Sequence, residues 1–296
     1  MSDNRPRKAS TTAILVAAVR ASHLRWNSKP IFSDRYAIDM VTPFWRLVAN
    51  NWLLNRLVVD VLLRALRPTQ TVIVLRIRYA EDRLREAISS GVQQYVILGA
   101  GLDTFALRHP SSADRLRIYE VDHPASQEMK RRQIGRIGPL PSNLELVPVD
   151  FETDRLDEAL IGAGFNPEAP AFFAWLGVTC YLTTEAIRDN IGQIAVVAAP
   201  GSRVVLDYRY PRRLVPPAGL DLVEKMDRFV ERRGEPMLSE YSPEEIDAEM
   251  ERTGFTAVEH LSPAEQAQRY LQGRQDIPEP PPNFAFGLFR KSRLTE

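Results

Sequence analysis

Two glycines and an aspartate mark where this chain could do chemistry. The stretch YVILGAGLDTFALRHP (95–110) carries an apolar run into Gly99-Ala100-Gly101. Glycines there let the backbone turn tightly and approach a ligand closely. The next apolar run ends in Tyr119-Glu120-Val121-Asp122. An acidic side chain at that strand end can accept hydrogen bonds from ribose hydroxyls. Two cofactor classes use a strand, a glycine loop and an acidic strand end in this order: a nicotinamide or flavin dinucleotide, and S-adenosylmethionine. The dinucleotide fingerprint wants a small third residue and a substantial helix whose N-terminus holds the pyrophosphate. Here position 104 is threonine, and Pro110 with Ser111-Ser112 interrupts soon after. The pattern favours S-adenosylmethionine. A nicotinamide-dependent reductase is the alternative, and no Y-x-x-x-K pair supports it. A non-catalytic scaffold that retains the cofactor fold is the other.

Composition narrows the partners. Lys+Arg and Asp+Glu both total 38 in 296 residues. A zero net charge argues against a nucleic-acid protein that depends on a strong basic field. The single cysteine, Cys180, excludes an internal disulfide and a multi-cysteine zinc site. The four histidines are scattered without metal-ligand spacing, so no metal is expected. No stretch approaches the ~20 apolar residues of a membrane span. The apolar run Thr12–Val19 is short and Arg20 follows it, which reads as a helix rather than a signal peptide. A cytoplasmic protein with a small-molecule acceptor and no membrane or nucleic-acid partner is the expectation.

These residues need a frame to hold them. Short apolar runs at Gln94–Leu98, Leu116–Val121, Leu144–Val149, Ala171–Leu176 and Arg203–Asp207 read as strands. Helical patterns at Pro124–Ile137, Thr153–Ala163 and Thr183–Ala198 separate most of them. Alternation of this kind predicts a doubly wound, mostly parallel α/β sheet. Ala257–Leu261 and Phe284–Phe289 predict an antiparallel addition at one edge. Residues 1–10 read as loose and polar, and 11–25 as a helix. Pro43–Leu66 reads as one long helix ended by Pro68, and Arg76–Ser90 as another capped by Gly91. The segment 277–283, IPEPPPN, reads as a stiff extended connector.

The phrase ILGAGLDTFALR followed by YEVDHP resembles the leucine carboxyl methyltransferase-like family of class I S-adenosylmethionine-dependent O-methyltransferases. RIRYAEDRL (76–84), VPVDFETD (147–154) and LGVTCYL (176–182) resemble further family segments. TAILVAAVRASHLR and IFSDRYA are similar to its N-terminal region, so the resemblance covers nearly the whole chain. It implies a seven-stranded Rossmann-like sheet with an antiparallel last strand. A helical cap over 1–75 would precede the methyltransferase domain over 76–296, with a lid insertion near 211–243. It implies that Arg76 holds the cofactor carboxylate, with Arg78 the competing candidate. Gly99, Ala100 and Gly101 would cradle the cofactor, Asp122 would accept from its ribose, and Asp150 and Phe151 would meet its adenine. Related sequences often carry glutamate where Leu176 stands, so the cofactor ammonium is left to backbone carbonyls near Gly99 and Trp175.

The implied reaction moves a methyl group to an oxygen of a carboxylate or hydroxyl. A carboxylate needs no base, whereas a phenol or alcohol does. His23 and Tyr181 are the candidates for one. Tyr208 and Tyr210 could line an acceptor pocket, and Trp175 could wall the transfer site or pack in the core. Glu120 could assist Asp122 or face a helix. Asp103 reads as a cap for the short helix after the loop, Asp150 as an alternative cap for the helix near Thr153, and Cys180 as a buried small residue.

Overall fold

A computed structural model describes residues 11–112 and 115–292. The polar start, 1–10, lies outside the described residues. Helix α1 (Thr11–Trp26) buries Ala17, Ala18 and Ala21, small side chains that let neighbours approach closely. It packs on α2 (Pro43–Asn50). The long helix expected from 43 to 66 is broken. Asn51 is extended, at φ −108° and ψ 117°, and its side chain accepts from the Leu54 N–H at 3.0 Å. An asparagine offering that bond restarts the chain as a new N-cap. A short α3 (Trp52–Asn55) follows, then a π-helix (Arg56–Leu62) and a 3-10 turn (Arg64–Leu66).

Pro68 ends no helix. It lies in the first turn of α4 (Arg67–Ser89), where its missing N–H costs nothing. The helix expected from Arg76 therefore begins at Arg67 and runs unbroken from the cap into the body. Gly91, at φ +95°, follows its end.

The body then alternates. β1 (Gln94–Leu98) leads through the one-turn α5 (Phe105–Arg108) to β2 (Arg117–Asp122). Next come α6 (Pro124–Ile134), β3 (Leu144–Pro148), α7 (Leu156–Gly162) and β4 (Ala171–Trp175). They lead to α8 (Thr184–Val197), β5 (Arg203–Arg209), α9 (Leu220–Glu231) and α10 (Pro243–Glu251). The chain finishes with β6 (Phe255–Leu261), α11 (Pro263–Tyr270) and β7 (Phe284–Lys291).

The strands form one seven-stranded sheet in the order β3-β2-β1-β4-β5-β7-β6. The first five are parallel, and β7 runs antiparallel between β5 and β6. Both faces are covered. Along β4, Phe172 and Ala174 enter one core, while Phe173 and Trp175 enter the other. That is the period-two alternation of a strand buried on both sides. The strand order reverses between β1 and β4, which opens a crevice beyond their carboxyl ends.

Candidate functional site

Register brings the site together. Leu98 lies opposite Val121 on one side and Trp175 on the other, and Trp175 lies opposite Leu206. Gly99, Asp122, Leu176 and Asp207 therefore lie level with one another on the carboxyl-end side of the sheet. Gly99 has φ +68°, and a Cβ there would collide with the side chain of Val178. The Gly99 and Ala100 N–H groups donate to the Val121 carbonyl at 2.8 and 3.0 Å, which carries the ladder into the loop. The Gly101 N–H donates to Asp122 Oδ2 at 2.5 Å, and the His123 N–H to Oδ1 at 2.7 Å. Burial pushes the Asp122 carboxyl upward, against these N–H groups. Each carboxylate oxygen has a second lone pair, so Asp122 keeps acceptor capacity where it lines the cavity.

Of the two candidate arginines, only Arg76 reaches the cavity wall. Arg78 is held by Asp82 at 2.9 Å and by the Ile31 carbonyl at 3.1 Å. Arg76 Nη1 donates to Asp207 Oδ2 at 3.1 Å, and its buried Nε has no hydrogen-bond partner among the described residues. The other oxygen of Asp207 accepts from the Gly177 N–H at 2.5 Å. Gly177 has φ +70°, and its missing Cβ is what leaves room for the Arg76 guanidinium. Asp207 had no assigned role in the sequence reading. Its signal is a carboxylate set inside the otherwise apolar run VVLDY at a strand end.

Asp150 and Phe151 lie just past β3 and also line the cavity. Asp150 Oδ1 accepts from the Glu152 N–H at 3.1 Å, so it closes its own turn. It does not cap a helix, because α7 begins only at Leu156. The Phe151 ring leans on Trp175 at 6.4 Å between centroids. Trp175 itself is fully buried in the core and does not reach the cavity. Glu120 turns away from Asp122 to form a buried ion pair with Lys130 on α6. Burial pushes its carboxyl up to about 7, against the pull of that lysine. Asp103 Oδ1 accepts from the Phe105 N–H at 2.6 Å, tying down the start of α5.

A second charged cluster fastens the N-terminal helix and the segment after it to the glycine loop. Arg20 of α1 donates to the Leu102 carbonyl at 2.5 Å and pairs with Asp34 at 3.0 Å. Arg108 of α5 pairs with Glu81 of α4 at 2.5 Å and approaches Asp34 at 3.8 Å. Both arginines and Asp34 are nearly or wholly buried. The motif segments 12–25 and 31–37 thus act here by clamping the loop.

The cavity holds about 1040 Å³. One wall is formed by the strand ends just described. The other is supplied by α1, the π-helix, α4 and α9, through residues such as Val16, Val59, Leu63, Ile73 and Phe229. Cys180 and Tyr181 also line it. Burial pushes the Cys180 thiol up to about 12 and raises the Tyr181 hydroxyl well above its usual range. His23 stays off the cavity. Its Nε2 accepts from the Ile31 N–H at 2.9 Å, and burial, then the nearby Arg274, push its pKa down to about 4. Tyr208 and Tyr210 do not reach the cavity either; the Tyr208 hydroxyl is 2.8 Å from His260 Nδ1. No group of three or more potential metal ligands occurs among the described residues.

The model of the family described as leucine carboxyl methyltransferase matches residues 13–195. YktD of Bacillus subtilis, named as a candidate S-adenosyl-L-methionine-dependent methyltransferase, is 31% identical over 291 residues. That alignment covers 92% of this chain and 94% of YktD. A similarly named protein of Mycolicibacterium smegmatis is 34% identical over 66% of this chain and 65% of its own length. The crystal structure of a candidate methyltransferase from Thermobifida fusca covers 97% of this chain and 96% of its own. It does so with a TM-score of 0.60 at 18% identity.

Proposed function

The chain belongs to the leucine carboxyl methyltransferase family, and we propose that it methylates an oxygen of a small apolar molecule, with a carboxylate as the preferred acceptor. It is an S-adenosylmethionine-dependent methyltransferase with a Rossmann-like sheet. The observation that carries the acceptor reading is the division of one cavity into a polar strand-end wall and a largely apolar helical wall.

The residues at the strand ends fit the cofactor. Gly99, at φ +68° and packed against Val178, lets the loop turn tightly at the strand end, and Arg76 offers a buried Nε with no hydrogen-bond partner among the described residues. When bound, the cofactor supplies an electrophilic methyl group on sulfur. Arg76 pairs with its carboxylate through the guanidinium edge left free by Asp207. Asp122 accepts from the ribose, while Gly99, Ala100 and Gly101 keep the backbone close. Asp150 accepts from the adenine amino group and Phe151 packs on the ring. Leu176 lines the cavity with no charge to offer, so carbonyls near Gly99 and Trp175 take the ammonium.

The helical wall excludes water and holds the acceptor oxygen near attack distance. A carboxylate suits it because an ionised acceptor needs no base, and the base candidates expected from the sequence are not poised to serve. Tyr181 and Cys180 hold their protons too tightly, and His23 is committed to Ile31.

Calorimetry tests the cofactor residues. S-adenosylmethionine binds the wild type, and Asp122→Ala weakens binding at least about tenfold, or ~1.4 kcal/mol. An acceptor screen reading S-adenosylhomocysteine release tests the rest. Apolar carboxylic acids turn over ahead of phenols and amines. Turnover confined to amines would overturn the oxygen assignment.

A further inference from the structure

The outside of α2, α3 and the π-helix carries an apolar surface unlike the rest of the described residues. Phe44, Leu47, Trp52, Leu53, Leu57 and Leu62 are each at least half exposed, as is Val61. Elsewhere among the described residues, exposed large apolar side chains such as Leu140, Ile161, Val196 and Val258 are spread thinly along the chain. Scattered single residues are ordinary, whereas a contiguous stretch marks an interaction face.

The stretch is continuous with the cavity behind it. The π-helix bonds i to i+5, as in Leu63 N–H to Val58 carbonyl at 2.8 Å, so residues four and five apart share a face. Val59 and Leu63 line the cavity, while Leu57, Val61 and Leu62 point outward. A single helical layer separates the acceptor space from the outer surface.

Charge identifies what this face meets. From 43 to 67 the sequence holds Arg46, Arg56, Arg64 and Arg67 against one acid, Asp60, which is a net charge of +3 (4 − 1). The Arg56 guanidinium sits 5.5 Å from the Trp52 ring centroid, and Arg46 remains about half exposed beside Asp39. Arginine interleaved with tryptophan, phenylalanine and leucine is the composition of segments that lie in a lipid headgroup layer. No helix among the described residues is long and apolar enough to cross a membrane. Lying on a bilayer demands less than crossing it. A second copy of the chain is a poorer occupant, because a two-fold interface sets the same net-positive patch against itself.

We propose that the outer face of the helical wall, from Phe44 to Leu62, docks on an anionic lipid surface, and that the cavity behind it draws its acceptor from that surface. The second half rests on the methyl-transfer reading above; the first half does not.

Co-sedimentation of the full chain with vesicles tests the docking. Phosphatidylcholine vesicles are compared with vesicles carrying about one-third phosphatidylserine, at low salt and at about 0.5 M salt. The anionic vesicles retain at least about fivefold more protein, and salt reduces the difference. The triple variant Leu53→Ser, Leu57→Ser, Leu62→Ser loses retention. Arg56→Gln with Arg64→Gln falls to the level on neutral vesicles. Both variants keep the wild-type Tm and S-adenosylmethionine affinity. Equal retention on both vesicle types, or full retention by the triple variant, overturns the docking. So does a lipid-free dimer that the triple variant abolishes. Docking by a wild type that does not bind S-adenosylmethionine overturns the acceptor half alone.

Discussion

The two walls of the cavity are built on different principles. The strand-end wall fixes its polar groups through partners within the chain. Asp122 is held by two backbone N–H groups, and Arg76 by Asp207. The helical wall is held together by apolar packing over a backbone that changes from α to π to 3-10 geometry within 52–66. A wall that binds the constant part of a reaction can be rigid and specific. A wall that meets the variable part needs volume and dryness, and those tolerate substitution.

The largest test of this contrast is Asp207→Ala. It strands the Arg76 charge and leaves the Gly177 N–H without its acceptor. Losing one partner of a buried pair costs about 3–5 kcal/mol, read as a lower midpoint in urea. A loss below about 1 kcal/mol would place the pair among those that contribute little and remove the claim that this wall is electrostatically fixed.

His23 sharpens the comparison from the cap side. Its folded pKa is about 4, below the usual 6.5, because burial and then Arg274 oppose its charged form. The fold therefore prefers the neutral ring. That preference contributes fully above pH 6.5 and is lost as the pH falls toward 4. The shift corresponds to about 3 kcal/mol at most. Urea midpoints followed across this window should fall in the wild type and fall less in His23→Gln.

Third in size is Arg76→Lys, which keeps the charge but loses the planar fork. Cofactor affinity should drop about tenfold, against no measurable change for Arg78→Lys. Equal effects of the two would show that contact with the cavity does not decide which arginine matters. Smallest is Leu53→Ser on the exterior of the helical wall. Stability should stay within about 0.5 kcal/mol of wild type, and a larger loss would mean that the outer face is packed rather than open.

How far the sequence could be read followed the range of the interactions. β1 and β3, with the glycine loop between β1 and β2, were legible because local apolar runs and glycine spacing specify them. The antiparallel edge pair was legible as two late apolar runs beyond the alternating series, although α11 lies between them. The cap was not. A periodic Leu/Val pattern suggested one helix, but Asn51 and Pro68 carry local chemistry that outweighs periodicity. Asp207 lies 131 residues from Arg76. No spacing rule connects a helix residue to the fifth strand after it. Trp175, Glu120 and His23 show the same limit, since only the packed neighbours decide whether each meets the cavity, Lys130 or Ile31.

Arg20 grips the Leu102 carbonyl from α1, and Ala13 of the same helix is the nearest neighbour that a Cβ on Gly101 would meet, at 3.3 Å. The first helix and the glycine loop are therefore joined by one charged and one close apolar contact. A substitution on α1 that displaces Arg20 reaches the loop directly through the Leu102 carbonyl. The shape of the loop is thus set partly by residues about eighty positions before it in the chain.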